Sequence, residues 1–205
     1  MKKQEFEVVV SNNISDLSWD RLLKENPYAS PFQTLKFLNL INSIKQPEAI
    51  VVSVMKGSIL LCLAVVTIQK ESGIKGFFSK RAIIYGGPLL TNEFDAIVIL
   101  LGKIEEYVRP KAIYIETRNL FDYNKYVDVF KRSNWKYNQH LNFRVRCDSE
   151  ETIWSNLNRL RKREIKKSLR NGIIAEEAKS VKEVENVYLL LKEHYRKKVK
   201  KPLFS

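Results

Sequence analysis

With 205 residues, 44% of them hydrophobic and 29% charged, the chain has the balance of a folded globular protein. It is long enough for one complete domain and part of another, which excludes a disordered or fibrous chain. The 36 Lys and Arg against 23 Asp and Glu give a formal net charge of +13, and a surface that basic attracts phosphates, nucleic acid or anionic lipid.

The first residues are charged and lead into a strand-like Phe6–Val10 rather than the apolar core of a signal peptide, which predicts a cytoplasmic protein. Ser15 and Asp16 are placed to cap a helix carrying Leu17, Trp19, Leu22 and Leu23, ended by Asn26-Pro27. Ser30-Pro31-Phe32-Gln33-Thr34 reads as extended and opens a second helix, with Leu35, Leu38, Ile41 and Asn42 at helical spacing. Residues 49–55 and 58–69, rich in Val, Ile and Leu around a Lys56-Gly57 turn, predict an antiparallel hairpin. The apolar run at 59–66 is well short of the roughly 20 residues that span a bilayer as a helix. Residues 70–80 read as a loop, in which Gly76-Phe77-Phe78-Ser79-Lys80 is suited to touch a membrane surface.

A short strand at 82–85 is stopped by Gly86-Gly87-Pro88. The amphipathic helix that follows, to about Val108, carries Phe94, Ile97, Val98, Leu101, Ile104 and Tyr107 on one side. Residues 112–116 read as a buried-type strand, 122–131 as a helix, and 135–137 and 142–146 as further strands. This succession makes a mixed α/β layer. From Ser149 the texture changes, to one long helix over 150–170, a strand over 173–175 and a helix over 181–199. Residues 155–205 hold 15 of the Lys and Arg against 6 of the Asp and Glu. The organisation predicted is a first domain over 1–148 and a basic helix-strand-helix over 149–205 that begins a second, incomplete domain.

The row from Arg159 to Arg170 is the most informative segment. On a helix, Arg159, Lys162, Arg163, Lys166, Lys167 and Arg170 recur at three- and four-residue intervals and form a charged stripe, with Leu157, Leu160, Ile165 and Leu169 as the apolar side. Like charges so placed repel, and a bound polyanion would relieve them in a salt-dependent way. A solvated helix face is the bland alternative. A second basic block, Arg196-Lys197-Lys198 with Lys200 and Lys201, partly opposes a helix macrodipole.

Catalytic signals are sparse. Glu116 and Arg118 follow a strand and either face a cleft or form an ion pair; Cys62 sits in an apolar run and reads as core. His140 lacks a serine or cysteine partner, so no catalytic residue is assigned. Cys62 and Cys147 make no disulfide framework, and His140 and His194 lack metal-ligand spacing. Neither a metal nor a cofactor is expected. The Arg/Gln-x-x-Gly-x-Gly/Ala loop with which acetyl-CoA-dependent GNAT transferases hold pyrophosphate does not occur, nor do Walker-type or dinucleotide-binding glycine motifs.

Taken in order, Ser30-Pro31-Phe32-Gln33-Thr34, Tyr85-Gly86-Gly87-Pro88, Ile115-Glu116-Thr117-Arg118-Asn119, His140-Leu141-Asn142-Phe143 and residues 163–172 resemble the Fem-type (FemA/FemB/FemX) peptidoglycan aminoacyltransferases and their GNAT-like relatives. The resemblance implies a GNAT-like mixed sheet flanked by helices, followed by the start of a second GNAT-like domain. It implies transfer of an amino acid or acyl group, from aminoacyl-tRNA or another acyl donor, to an amine of a phosphorylated cell-wall or surface-polysaccharide precursor. Arg163, Lys166, Lys167, Arg170 and Lys201 would then bind phosphates, and Gln33, Glu116 and Arg118 would line a cleft. Peripheral membrane contact is a further expected partnership. Ile41 stands where the family has a phosphate-reaching lysine, and Lys201 before Pro202 replaces a family arginine, keeping charge but losing the bidentate fork. Family members run well beyond this length, so the chain is expected to be a natural truncation or the front of a longer product. The alternative function is a non-catalytic, polyanion-binding truncated relative.

Overall fold

The computed structural model describes residues 6–10, 15–44, 47–70, 76 and 79–200. The chain divides into two compact units, Met1–Asn142 and Phe143–Ser205.

The first unit is built on a five-stranded sheet of β1 (Phe6–Val10), β2 (Glu48–Lys56), β3 (Ile59–Gln69), β4 (Arg81–Gly86) and β5 (Tyr114–Asn119), in that spatial order. The first four strands pair antiparallel and β5 runs parallel to β4. A parallel neighbour needs a crossover, and the helix α3 (Phe94–Val108) supplies it. The hairpin of β2 and β3 forms as expected, with Gly57 and Ser58 in the turn, because Lys56 pairs with Ile59. A bulge in β3 lets Val54 pair with Cys62 while Met55 pairs with Leu60.

Both faces of the central strands are buried, which is why their sequences read as continuous apolar runs rather than as alternation. One face carries Val52, Val54, Ala64, Val66 and Ile84 against Leu100 and Ile104 of α3 and Phe130 of α4 (Val127–Arg132). The other carries Val51, Leu63 and Val65 against Trp19 and Leu22 of α1 (Asp16–Glu25) and Leu38 of α2 (Leu35–Asn42). A mixed sheet flanked by helices, the fold class expected, is the observed one.

Several local expectations are corrected. Ser15 stands at the N-cap of α1, yet its side chain makes no capping bond. Residues 31–33 form a 3₁₀ turn rather than an extended lead-in, because Ser30 and Gln33 close a capping box around it. In α3 the buried stripe is Ala96, Ile97, Leu100, Leu101, Ile104 and Val108, while Phe94 and Val98 are exposed. β5 is an edge strand with an exposed Tyr114, not a buried one. The expected helix at 122–131 is a 3₁₀ turn over Asn124–Tyr126 followed by α4.

The second unit holds α5 (Glu150–Asn156), α6 (Arg159–Arg170) and α7 (Val181–His194), the last running into a wider π turn at Tyr195–Val199 that ends with Lys200 in the left-handed region. The single helix expected over 150–170 is therefore two. Asn158 is extended, and its side-chain oxygen accepts from the Arg161 backbone N–H at 2.9 Å. That local bond offers the backbone an alternative to continuing the helix. The strands expected at 135–137, 142–146 and 173–175 are irregular. Alternation identifies two faces of a segment, but a ladder also needs a neighbouring backbone to accept its hydrogen bonds.

The two thiols differ sharply. Cys62 is fully buried, and burial pushes its pKa up to about 11, whereas Cys147 is exposed. Thiol titration of the native protein at pH 8 is expected to find one reactive cysteine, Cys147, and a second only on unfolding. Because the folded pKa of Cys62 lies above its unfolded value, its contribution to stability is complete below about pH 9. It is lost as the pH rises toward 11.

Candidate functional site

The first candidate region lies at the carboxyl ends of the parallel strands β4 and β5, where open α/β sheets place their ligands. The chain leaves β4 through Gly86 and Gly87, with φ of 75° and 86°. A Cβ on Gly87 would stand 2.6 Å from both Asn119 Oδ1 and the Tyr123 hydroxyl, so only glycine fits between β5 and the turn after it. The Tyr123 hydroxyl donates to the Pro88 carbonyl at 2.8 Å, and burial raises its pKa, which keeps it a donor.

Gln33 closes this loop from the opposite side. It is fully buried, its Nε2 donates to the Gly87 carbonyl, and its Oε1 accepts from the Ser30 backbone at 2.8 Å and the Ser30 hydroxyl at 2.6 Å. Trp19 Nε1 donates to the Gln33 carbonyl at 2.7 Å, tying the turn to the core. Gln33 thus holds the loop, with every polar group of its side chain engaged inside the protein. Sequence reasoning placed this residue at the cleft. It missed Asn119 and Tyr123 as the opposite wall, although the Gly-Gly-Pro triplet was the available signal that a backbone segment is tightly enclosed.

Beside the loop, Tyr85 makes ring contacts with Phe32 and Phe37, at 5.8 and 6.3 Å between centres, and Gln69 Nε2 donates to its hydroxyl at 2.8 Å. Arg118 pairs with Tyr85 across the strands and lies 5.6 Å from its ring centre. Glu116 and Arg118 form an ion pair at 2.7 Å, and that carboxylate raises the guanidinium pKa. The pair is half exposed, so it adds at most about 1 kcal/mol to stability. In the β4–β5 register Arg118 lies one position before the exit at Gly86, and Glu116 lies three before it, opposite Ile83.

The N-terminus of α3 carries protein carboxylates. Glu93 precedes it and pairs with Lys56 at 2.9 Å, and Asp95 lies in its first turn. Both complement the helix dipole where an anion would otherwise sit.

The second candidate region is α6 in the second unit. Arg159, Arg163, Lys166 and Arg170 follow one line of the helix over about 16 Å, with Lys162 and Lys167 on either side. Among the described residues the one cation of α6 with a carboxylate partner is Arg161, paired with Glu164 at 2.7 Å. Lys162 reaches the Ser155 carbonyl at 3.2 Å, and Lys166 lies 5.8 Å from the Trp154 ring centre. No residue of α6 is buried. Arg163, Lys166, Lys167 and Arg170 are therefore brought onto one helix face. Lys201 lies outside the described residues, as does most of the loop expected to touch a membrane. No group of three or more metal-ligating side chains occurs among the described residues, and no helix there is long and apolar enough to cross a membrane.

No family model matches the chain, and no curated protein matches it in sequence. Solved structures do match it in fold. FemX superposes with a TM-score of 0.51 at 16% identity, over 62% of this chain and 31% of FemX. The aminoglycoside acetyltransferase AAC(6')-Iy, solved with the bisubstrate analog CoA-S-monomethyl-acetylneamine, gives 0.51 at 13% identity, over 70% of this chain and 99% of the enzyme. The chain thus has a GNAT-like fold over the matched length, and it spans about a third of the length of FemX.

Proposed function

We propose that this protein is an aminoacyl- or acyltransferase of the Fem/GNAT-like group, acting on an amine of a phosphorylated cell-wall or surface-polysaccharide precursor. The observation that supports this most directly is α6, whose line of cations has no carboxylate partner among the described residues, on a chain with a GNAT-like fold. Both an aminoacyl-tRNA and a diphosphate-linked acceptor are polyanions, and Arg163, Lys166, Lys167 and Arg170 would hold their phosphates. Lys201 would bind phosphate as well. Residues from 149 onward would begin a second GNAT-like domain.

In the reaction the acceptor nitrogen attacks the activated carbonyl of the donor. A C–N bond forms, the bond to the donor oxygen or sulfur breaks, and the proton lost by the amine ends on the departing hydroxyl or thiol. Holding the two reactants in register supplies most of the acceleration, up to about 7–11 kcal/mol in well-oriented cases. Glu116 and Arg118, on β5 beside β4, would orient the polar end of one substrate.

The test is transfer of a labelled aminoacyl or acyl group from charged tRNA, or from acyl-CoA, to a UDP-linked precursor. Amide product formed at a rate above the enzyme-free control supports the reading. Salt-sensitive binding of both substrates with no product would instead identify a binding module. Failure of either substrate to bind at low salt would remove the proposal altogether.

A further inference from the structure

The outer surface of α1 and α2 carries a groove of about 570 Å³, walled by Leu23, Ala29, Pro31, Phe37 and Leu40. Leu23, Ala29 and Phe37 also pack inward against the core on that side of the sheet, which makes the floor firm. Leu40 is 61% exposed at the rim. The groove is open along one side, so a ligand would lie along it rather than be enclosed.

The polar residues of the groove are Ser30, Thr34 and Lys36. Two of them are already engaged. The Ser30 hydroxyl donates to Gln33 Oε1 at 2.6 Å and accepts from the Phe32 backbone at 3.3 Å. The Thr34 hydroxyl donates to the Pro31 carbonyl at 2.7 Å and accepts from the Phe37 backbone at 3.2 Å. Lys36 is exposed and has neither an ion pair nor a hydrogen bond among the described residues. A sugar or peptide would bring several hydroxyls or amides into this groove, and each would lose water without gaining a partner. An aliphatic body with one negative end meets both features of the site.

We propose that the groove binds an anionic amphiphile, a single aliphatic chain ending in carboxylate or phosphate. The chain lies between Phe37 and Leu40 along α2 and the head group pairs with Lys36. The groove shares Ser30 and Phe37 with the region beside the loop after β4, and the proposal does not depend on which reaction the strand ends support.

Titration calorimetry of the full chain with decanoate, decyl phosphate, decanol and decyltrimethylammonium, all as monomers, tests this. The two anions are expected to bind more tightly than decanol, and the cation least. Each methylene added between six and ten carbons should tighten binding about two- to fourfold. Lys36→Glu, a surface change, should weaken the anions about fivefold and leave decanol unaltered, while Leu40→Asp weakens all four. Whichever anion is tighter identifies the head group. Equal binding of anion and cation, or indifference to Lys36→Glu, would overturn the proposal in favour of a greasy surface. So would absence of binding, or a dimer in sedimentation that Leu40→Asp dissociates, since a second copy would then be the occupant.

Discussion

Gly87→Ala is expected to destabilise the first unit by about 2–4 kcal/mol, a fall in Tm of roughly 5–15 °C. Two costs add. An L-residue at φ of 86° is strained, and its Cβ meets Asn119 Oδ1 and the Tyr123 hydroxyl at 2.6 Å. Neither atom is free to retreat, because Asn119 Oδ1 accepts from the Thr117 hydroxyl at 2.8 Å and Tyr123 is anchored on Pro88. Gly57 is the control. It has φ of 60° but nothing within 4 Å of a Cβ, so Gly57→Ala should cost only about 1 kcal/mol. Gly102, inside α3 with open space around it, should respond in the opposite direction, with Gly102→Ala stabilising by up to about 1 kcal/mol. Thermal unfolding of the three variants checks the order, and a Gly87→Ala protein as stable as the Gly57→Ala one would show that the loop is looser than its contacts imply.

Replacing Arg163, Lys166, Lys167 and Arg170 together by Gln is expected to reduce polyanion affinity about a hundredfold or more at low salt. The dependence of log K on log salt should become shallower by about 3, since each phosphate contact contributes roughly 0.7 to 0.9 to the slope. Fold stability should barely change, because no residue of α6 is buried. Fluorescence anisotropy with a short labelled RNA, at several salt concentrations, measures both quantities. A slope unchanged by the four substitutions would place the phosphates elsewhere. Equal losses from substituting Lys103, Arg109 and Lys111 on the first unit would reduce the effect to net charge.

The strands of the sheet and the cation row were legible in the sequence for the same reason. Each rests on a local repeat: a period of two or an unbroken apolar run for strands, and a period near 3.6 for α6, where Arg159, Arg163, Lys166 and Arg170 return to one line. Expectation and structure part wherever a distant partner decides the outcome. The apolar 112–116 segment reads as buried, yet among the described residues β5 has a neighbouring strand on one side alone. Phe143 and Val145 alternate with Arg144 and Arg146 as strand residues do, yet the segment joins no ladder among the described residues. The break at Asn158 is different, since a capping residue stands in the sequence there but helical periodicity continues on both sides of it.

What the residues determined unaided was the layered α/β class, the concentration of charge in the last quarter and the unusual Gly86-Gly87-Pro88 exit from β4, all properties of near neighbours. Tertiary structure alone decided that Gln33 is a buried clip, that Asn119 and Tyr123 enclose Gly87, and that Arg118 meets Tyr85. Those pairings join residues many positions apart, and no periodicity carries information over such distances. They are set by which strands become neighbours, and that outcome belongs to the packing of the whole core.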